Sequence, residues 1–119
     1  MRRRRRRRDR EFSTTSKIPW RRVGEGVSEK ILSRDSESGA YIRLLHFDPG
    51  AETLEVFTHD FYEEVYILEG SLTDKRLKRT FRQGMFAFRN PEMKHGPYSS
   101  ADGCTTIEFR HFGLKRKEV

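Results

Sequence analysis

Several short stretches of the chain show the two-residue period of β-strands, in which alternate side chains point to opposite faces. In residues 41–46, Y-I-R-L-L-H, three side chains are expected on each face before a turn at residues 48–50, D-P-G. Further strand-like runs occupy residues 27–32, 53–57, 64–68, 85–89 and 104–112. No stretch repeats apolar residues at helical spacing. Short strands separated by turns that contain Gly and Pro predict an all-β sandwich or barrel.

Length and charge divide the chain into a tail and one folded domain. At 119 residues the chain is long enough for one domain with one core. The formal net charge is +7, but the seven arginines at positions 2–8 account for it (7 − 7 = 0), so the rest is close to neutral. Clustered like charges repel one another and bury nothing. We therefore predict an Arg-rich disordered tail over residues 1–17 and a β-barrel domain over residues 18–119.

The basic tail and the lack of targeting signals limit the expected partners and location. Arginine clusters bind polyanions, but no aromatic residues alternate with these arginines to stack on bases, so nucleic-acid binding is expected only through the tail. No apolar run approaches the roughly 20 residues that span a bilayer, and no signal-peptide segment follows the arginines. Cys104 is the single cysteine and cannot form an intramolecular disulfide. These features predict a cytoplasmic protein with no membrane partner.

Candidate chemistry lies at the ends of two strand-like runs. His59 and Glu63 precede one run, and His95 follows the turn after another. Two imidazoles and one carboxylate are a ligand set for a divalent transition metal with open coordination positions. Even separations on a strand share a face, which would place Glu63 inward with His59. A loop at residues 60–62 would weaken this parity, so Glu64 remains an alternative ligand, and all three ligand candidates could instead be ordinary surface side chains.

The same residues resemble the two motifs of the cupin superfamily, whose members are jelly-roll β-barrels. The first motif reads G-x5-H-x-H-x3,4-E-x6-G, and its second histidine, glutamate and last glycine match His59, Glu63 and Gly70. The second motif reads G-x5-P-x-G-x2-H-x3-N, and Gly84 and His95 match it with the right total spacing. Residues 63–70, E-E-V-Y-I-L-E-G, are most similar to small single-domain cupins and to the cupin-like domains of zinc-binding anti-sigma factors. The resemblance covers about residues 20–112.

The chain departs from the cupin motifs at several positions. The first histidine, the motif proline, the motif glycine and the final asparagine are replaced by Phe57, Asn90, Glu92 and Ser99. Glu92 would have to adopt a turn conformation that glycine adopts more readily. The resemblance therefore implies three metal ligands, His59, Glu63 and His95, in a set similar to the 2-His-1-carboxylate arrangement of non-haem iron enzymes. A degraded site that no longer binds metal tightly is the alternative.

The resemblance implies a small metal-binding cupin with Fe, Mn, Ni or Zn as cofactor. Its expected activity is that of a metal-dependent dioxygenase or isomerase acting on a small oxygen-bearing substrate, such as a diketone or a hydroxylated aromatic. The missing first histidine favours the alternative, a non-catalytic module that binds a ligand or zinc. Aromatic residues near the motifs are either core or substrate-pocket residues; they are Phe57, Tyr66, Phe86, Phe88, Tyr98 and Phe109. Exposed edge strands predict a homodimer.

Overall fold

The computed structural model describes residues 7–113, which form nine β-strands and one 3-10 turn at Thr15–Lys17. The strands are β1 (Arg21–Gly24), β2 (Val27–Arg34), β3 (Tyr41–Phe47), β4 (Ala51–Glu52), β5 (Tyr62–Asp74), β6 (Arg79–Arg82), β7 (Phe86–Arg89), β8 (Tyr98–Ser100) and β9 (Cys104–His111). All pairings between these strands are antiparallel. The all-β prediction is confirmed.

The long strand β5 connects the two halves of the barrel. Its first half lies between β9 and β7, and its last residues pair with β6 and β8. Between the halves, Gly70 has a φ of 81°, and a Cβ atom there would lie 2.0 Å from the carbonyl oxygen of Gly103. Only glycine permits this approach, because an L side chain is disfavoured at such a φ and would collide with the neighbouring backbone. β5 can therefore change neighbours at this point, and the sheet curls.

The interior of the barrel has an apolar part and a charged part. Eight buried residues form the apolar core; they are Val27, Leu45, Phe47, Ala51, Ile67, Leu72, Tyr98 and Cys104. Beside them, Arg43 forms ion pairs with both Glu29 and Glu108 at 2.9 and 2.8 Å. The buried carboxylates are tolerated because each has a hydrogen-bonded cationic partner. This charged part of the interior lies on the same sheet as the candidate ligand Glu63.

One predicted strand does not form, and the short strand β8 was not predicted. Residues 53–57 do not form a strand; β4 ends at Glu52, and Phe57 makes only an isolated bridge with His95. The segment instead runs beside the chain around β8, where the amide of Thr53 donates to the carbonyl of Tyr98 at 2.8 Å. β8 itself was not predicted, because its three residues are too few to show a period of two.

The described part of the N-terminal tail lies against β2. Arg7 donates to the hydroxyl of Ser33 at 2.7 Å, and Arg10 donates to the carbonyl of Leu32 at 2.6 Å. The predicted disorder of residues 1–17 falls in part on residues 1–6, which lie outside the described residues, as do residues 114–119 at the other end. Within residues 7–113, no helix has the length and apolar character needed to cross a membrane.

Candidate metal centre

The structure brings the three predicted ligands, His59, Glu63 and His95, into one cluster. One potential ligand atom from each residue lies within 4.8 Å of the others, and the two imidazole ring centroids are 5.0 Å apart. Glu63 and His95 are buried, whereas His59 is partly exposed. Residues 36 positions apart along the chain thus meet at a spacing that one metal ion could bridge.

Backbone hydrogen bonds join the two motif segments. The amide of Phe57 donates to the carbonyl of His95 at 2.7 Å, and the amide of His95 donates back at 3.0 Å. The amide of Glu92 also donates to the carbonyl of His59 at 2.6 Å. Glu92 has a φ of 71°, so it adopts the left-handed conformation for which glycine is suited, at a cost of about 1 kcal/mol. The substitution at this position is therefore accommodated without separating the two histidines.

Strand parity distinguishes Glu63 from Glu64. Glu63 points inward and is buried, and its Oε1 accepts a hydrogen bond from Nη1 of Arg89 at 2.6 Å. Its Oε2 accepts no hydrogen bond from any of residues 7–113. Glu64 lies on the opposite face, where its carboxylate pairs with Nε2 of His111 at 2.8 Å. The structure therefore places Glu64 outside the cluster and leaves one oxygen of Glu63 available to a metal.

The pKa of each histidine is shifted towards the neutral form that metal coordination requires. Burial, with smaller contributions from Arg89 and His59, lowers the pKa of His95 to about 3. Burial followed by the charges of Arg110 and Arg89 also lowers the pKa of His59. Both ring nitrogens of His95 are buried without a hydrogen-bond partner among the described residues. Such orphaned atoms are costly. A metal would give one of the two nitrogens a partner, so these residues fit a metal.

Aromatic rings surround the cluster on several sides. Phe57 and Tyr98 pack beside His95 with ring centroids at 5.8 and 6.1 Å, and Phe61 stacks on His59 at 4.4 Å. The hydroxyl of Tyr98 accepts a hydrogen bond from Arg89 at 2.6 Å, and burial raises the pKa of Tyr98 to about 12. Two of the predicted pocket residues, Phe57 and Tyr98, thus lie at the cluster, and they make it drier than a third histidine would.

The other predicted pocket residues lie on the outer face of the sheet. Tyr66, Phe86, Phe88 and Phe109 are 42, 58, 47 and 36% exposed. In the strand register Tyr66 pairs with Phe86, and Glu64 pairs with both Phe88 and Phe109. Paired residues share a face, so all four aromatic side chains lie on the side of Glu64 and not on that of Glu63. They do not line the space between the two histidines.

Two arginines that the sequence did not single out flank Glu63 on the inner face. In the strand register Glu63 lies opposite Arg89 of β7 on one side and Arg110 of β9 on the other. Tyr41 of β3 continues this row and lies opposite Arg110. Each arginine stands near the end of a strand, where a polar residue looks like the boundary of the strand. Only the register between strands shows that both arginines lie on the same face as Glu63.

Comparisons with known proteins identify the family to which the chain belongs. Residues 8–112 match the family model described as the ChrR cupin-like domain. No curated protein matches the chain. Among solved structures, an RmlC-like cupin from Shewanella frigidimarina is similar with a TM-score of 0.70 and 23% identity, over 86% of this chain and 91% of that chain. The Rhodobacter sphaeroides complex of SigE with the anti-sigma ChrR is similar with a TM-score of 0.66 and 24% identity, over 82% of this chain and 52% of that chain.

An acetylacetone dioxygenase from Acinetobacter johnsonii is also similar, with a TM-score of 0.72. Its identity is 12%, over 89% of this chain and 76% of that chain. At such identities the likeness is one of fold. The jelly-roll barrel implied by the two motifs is therefore confirmed, including its likeness to the anti-sigma cupin domain.

Proposed function

This chain belongs to the ChrR cupin-like domain family, and from this we propose that it is a metal-binding cupin whose ligands are His59, Glu63 and His95. The observation that carries the proposal is the buried His95, whose two ring nitrogens have no partner among residues 7–113 while two further ligand atoms lie within 4.8 Å. The donor set suits Fe(II), Mn(II), Ni(II) or Zn(II).

The surrounding residues would prepare the site for a small ligand. Arg89 holds one oxygen of Glu63 and so fixes the orientation of the carboxylate. Phe57 stands where the motif has its first histidine, which leaves three protein ligands and open coordination positions. A divalent ion there would act as a Lewis acid and as a template that orients the substrate. The neutral hydroxyl of Tyr98, which already accepts a hydrogen bond from Arg89, keeps its own proton available to donate to a bound molecule.

For the reaction we propose a metal-dependent dioxygenase or isomerase that acts on a small oxygen-bearing molecule, such as a diketone or a hydroxylated aromatic. Support comes from the three-ligand set and from the dioxygenases among the structural neighbours. The second candidate is a non-catalytic module that binds zinc or a ligand, which the family match and the neighbouring anti-sigma complex favour. Oxygen consumption by the iron-loaded protein with a panel of diketones and catechols distinguishes them, because a binding module shows none.

Metal analysis of protein purified without a histidine tag tests the centre itself. We expect about one transition metal ion per chain in the natural sequence and a loss of most of it in His95→Ala. His46→Ala is a matched control, because His46 lies on β3 and its Nδ1 hydrogen-bonds to Thr105 at 2.8 Å. This variant should keep its metal. If the natural chain takes up no metal on reconstitution, the proposed function is refuted.

We also propose that the chain forms a homodimer through the outer face of β5 and β7. Tyr66, Phe86 and Phe88 are exposed there side by side, and a contiguous aromatic patch of this kind is typical of an interaction surface. Location in the cytoplasm stays a prediction. Nucleic-acid binding through the Arg tail also stays a prediction, since most of the arginines fall on residues 1–6, outside the described part.

A further inference from the structure

Arg110 is the cation of the inner face that lacks a carboxylate partner among residues 7–113. Its Nη2 donates to the hydroxyl of Tyr41 at 2.9 Å, whereas its Nε is buried with no hydrogen-bond acceptor. The neighbouring arginines differ in this respect. Arg43 is paired with two carboxylates and Arg89 is paired with Glu63. A partly buried guanidinium without an anion is unfavourable, so a missing partner is indicated.

Two aromatic rings hold the Arg110 guanidinium beside the metal cluster. Its central carbon Cζ lies 3.9 Å from the ring centroid of Phe61 and 4.1 Å from that of Tyr41. Phe61 in turn stacks on His59 with ring centroids 4.4 Å apart, and Arg110 lies directly opposite Glu63 in the strand register. Stacking between rings fixes the plane of the guanidinium and reduces the entropy lost when it binds a ligand.

The charge of the inner face favours an anion once a metal is bound. Four arginines and three glutamates lie on this face, which leaves an excess of one positive charge (4 − 3 = 1); they are Arg21, Arg43, Arg89, Arg110, Glu29, Glu63 and Glu108. A divalent ion held by the two histidines and Glu63 would add two positive charges to this excess (1 + 2 = 3). Excess charge in a largely buried site is costly unless a counter-charge is present. A bound anion would supply that counter-charge.

We propose that the site takes a small carboxylate-bearing molecule, such as a 2-oxo acid, a 2-hydroxy acid or a hydroxylated aromatic acid, with its carboxylate held by Arg110. A carboxylate matches the planar fork of a guanidinium, which can donate two parallel hydrogen bonds to it. The second oxygen function of such a molecule would be directed towards the metal position. This inference rests on the proposed metal centre, and it narrows the substrate class of that centre from neutral oxygen compounds to anions.

Calorimetry with matched pairs of ligands tests the inference. Pyruvate, lactate and salicylate are titrated into the metal-loaded protein, each beside its neutral methyl ester. We expect at least one acid to bind about 10- to 100-fold more tightly than its ester, since hydrogen bonds to a charged group are the stronger ones. Arg110→Gln should abolish that preference, and Arg110→Lys should keep part of it. Arg82→Gln, which removes an exposed arginine of β6, should behave like the natural chain.

Metal content measured on the same samples separates the two proposals. If Arg110→Gln keeps its metal but loses the preference for the acid, Arg110 is the carboxylate-binding residue. If the natural chain holds no metal, the proposed function fails, and the same acid and ester pairs with metal-free protein still test Arg110. If no acid binds more tightly than its ester, or if Arg110→Gln leaves the preference unchanged, the inference is overturned.

Discussion

Acid should destabilise the metal-free protein through His95. Its pKa is about 3 in the folded protein against 6.5 as the ordinary value, so the unfolded chain binds a proton first as the pH falls. The stabilisation is complete above about pH 6.5 and is lost progressively towards pH 3. About pH 5 lies roughly 1.5 units below the ordinary pKa of 6.5. The free energy of unfolding is therefore lower there by about 2 kcal/mol, at 1.36 kcal/mol per unit. Small domains have about 5–15 kcal/mol in total, so this loss is measurable.

The assay is urea unfolding followed by circular dichroism, at about pH 7.5 and about pH 5, with a chelator present throughout. His95→Leu removes the titrating group and replaces it with a side chain of similar size. The variant should therefore lose about 2 kcal/mol less stability between the two pH values than the natural chain does. His46→Leu is the control, since it removes a histidine of β3 that lies outside the cluster and so separates the effect of the buried site from that of losing a histidine. Equal acid losses in the natural chain and His95→Leu would refute the reasoning.

Three further predictions concern the supports of the site and the outer face. Arg89→Met should weaken metal binding about 10- to 100-fold, because Glu63 loses the group that orients it; competition with a chelating dye measures this, and unchanged affinity contradicts it. Gly70→Ala should lower the free energy of unfolding by about 3 kcal/mol or more, whereas Gly39→Ala should lower it by about 1 kcal/mol. The reason is that both residues have a strained φ, but only Gly70→Ala also adds a clash. Equal losses of stability in urea unfolding would contradict this. Phe86→Asp should convert a dimer into a monomer by light scattering, and a monomeric natural chain excludes that interface.

The local pattern of the sequence was sufficient for the fold class and for the identity of the candidate ligands. Strand periodicity and Gly/Pro turns depend on neighbouring residues only, so they identify an all-β chain without knowledge of its partners. The motif spacings likewise singled out His59, Glu63 and His95, which the structure places within reach of one ion. Gly70 could also be singled out from the sequence, because its place in the motif reflects a close backbone approach that only glycine permits.

The tertiary structure alone decided which side chains surround those ligands. Phe86 and Phe88 are near the second motif in sequence, yet the pairing of β7 with β5 places them beside Tyr66 and Glu64 on the outer face. Arg89 and Arg110 looked like the polar ends of strands, yet the pairing of β7 and β9 with β5 places them on both sides of Glu63. Register between strands is a long-range property that depends on how the whole barrel closes. Motif spacing therefore identifies the candidate metal ligands, and only the register reveals the arginine that we propose selects the substrate.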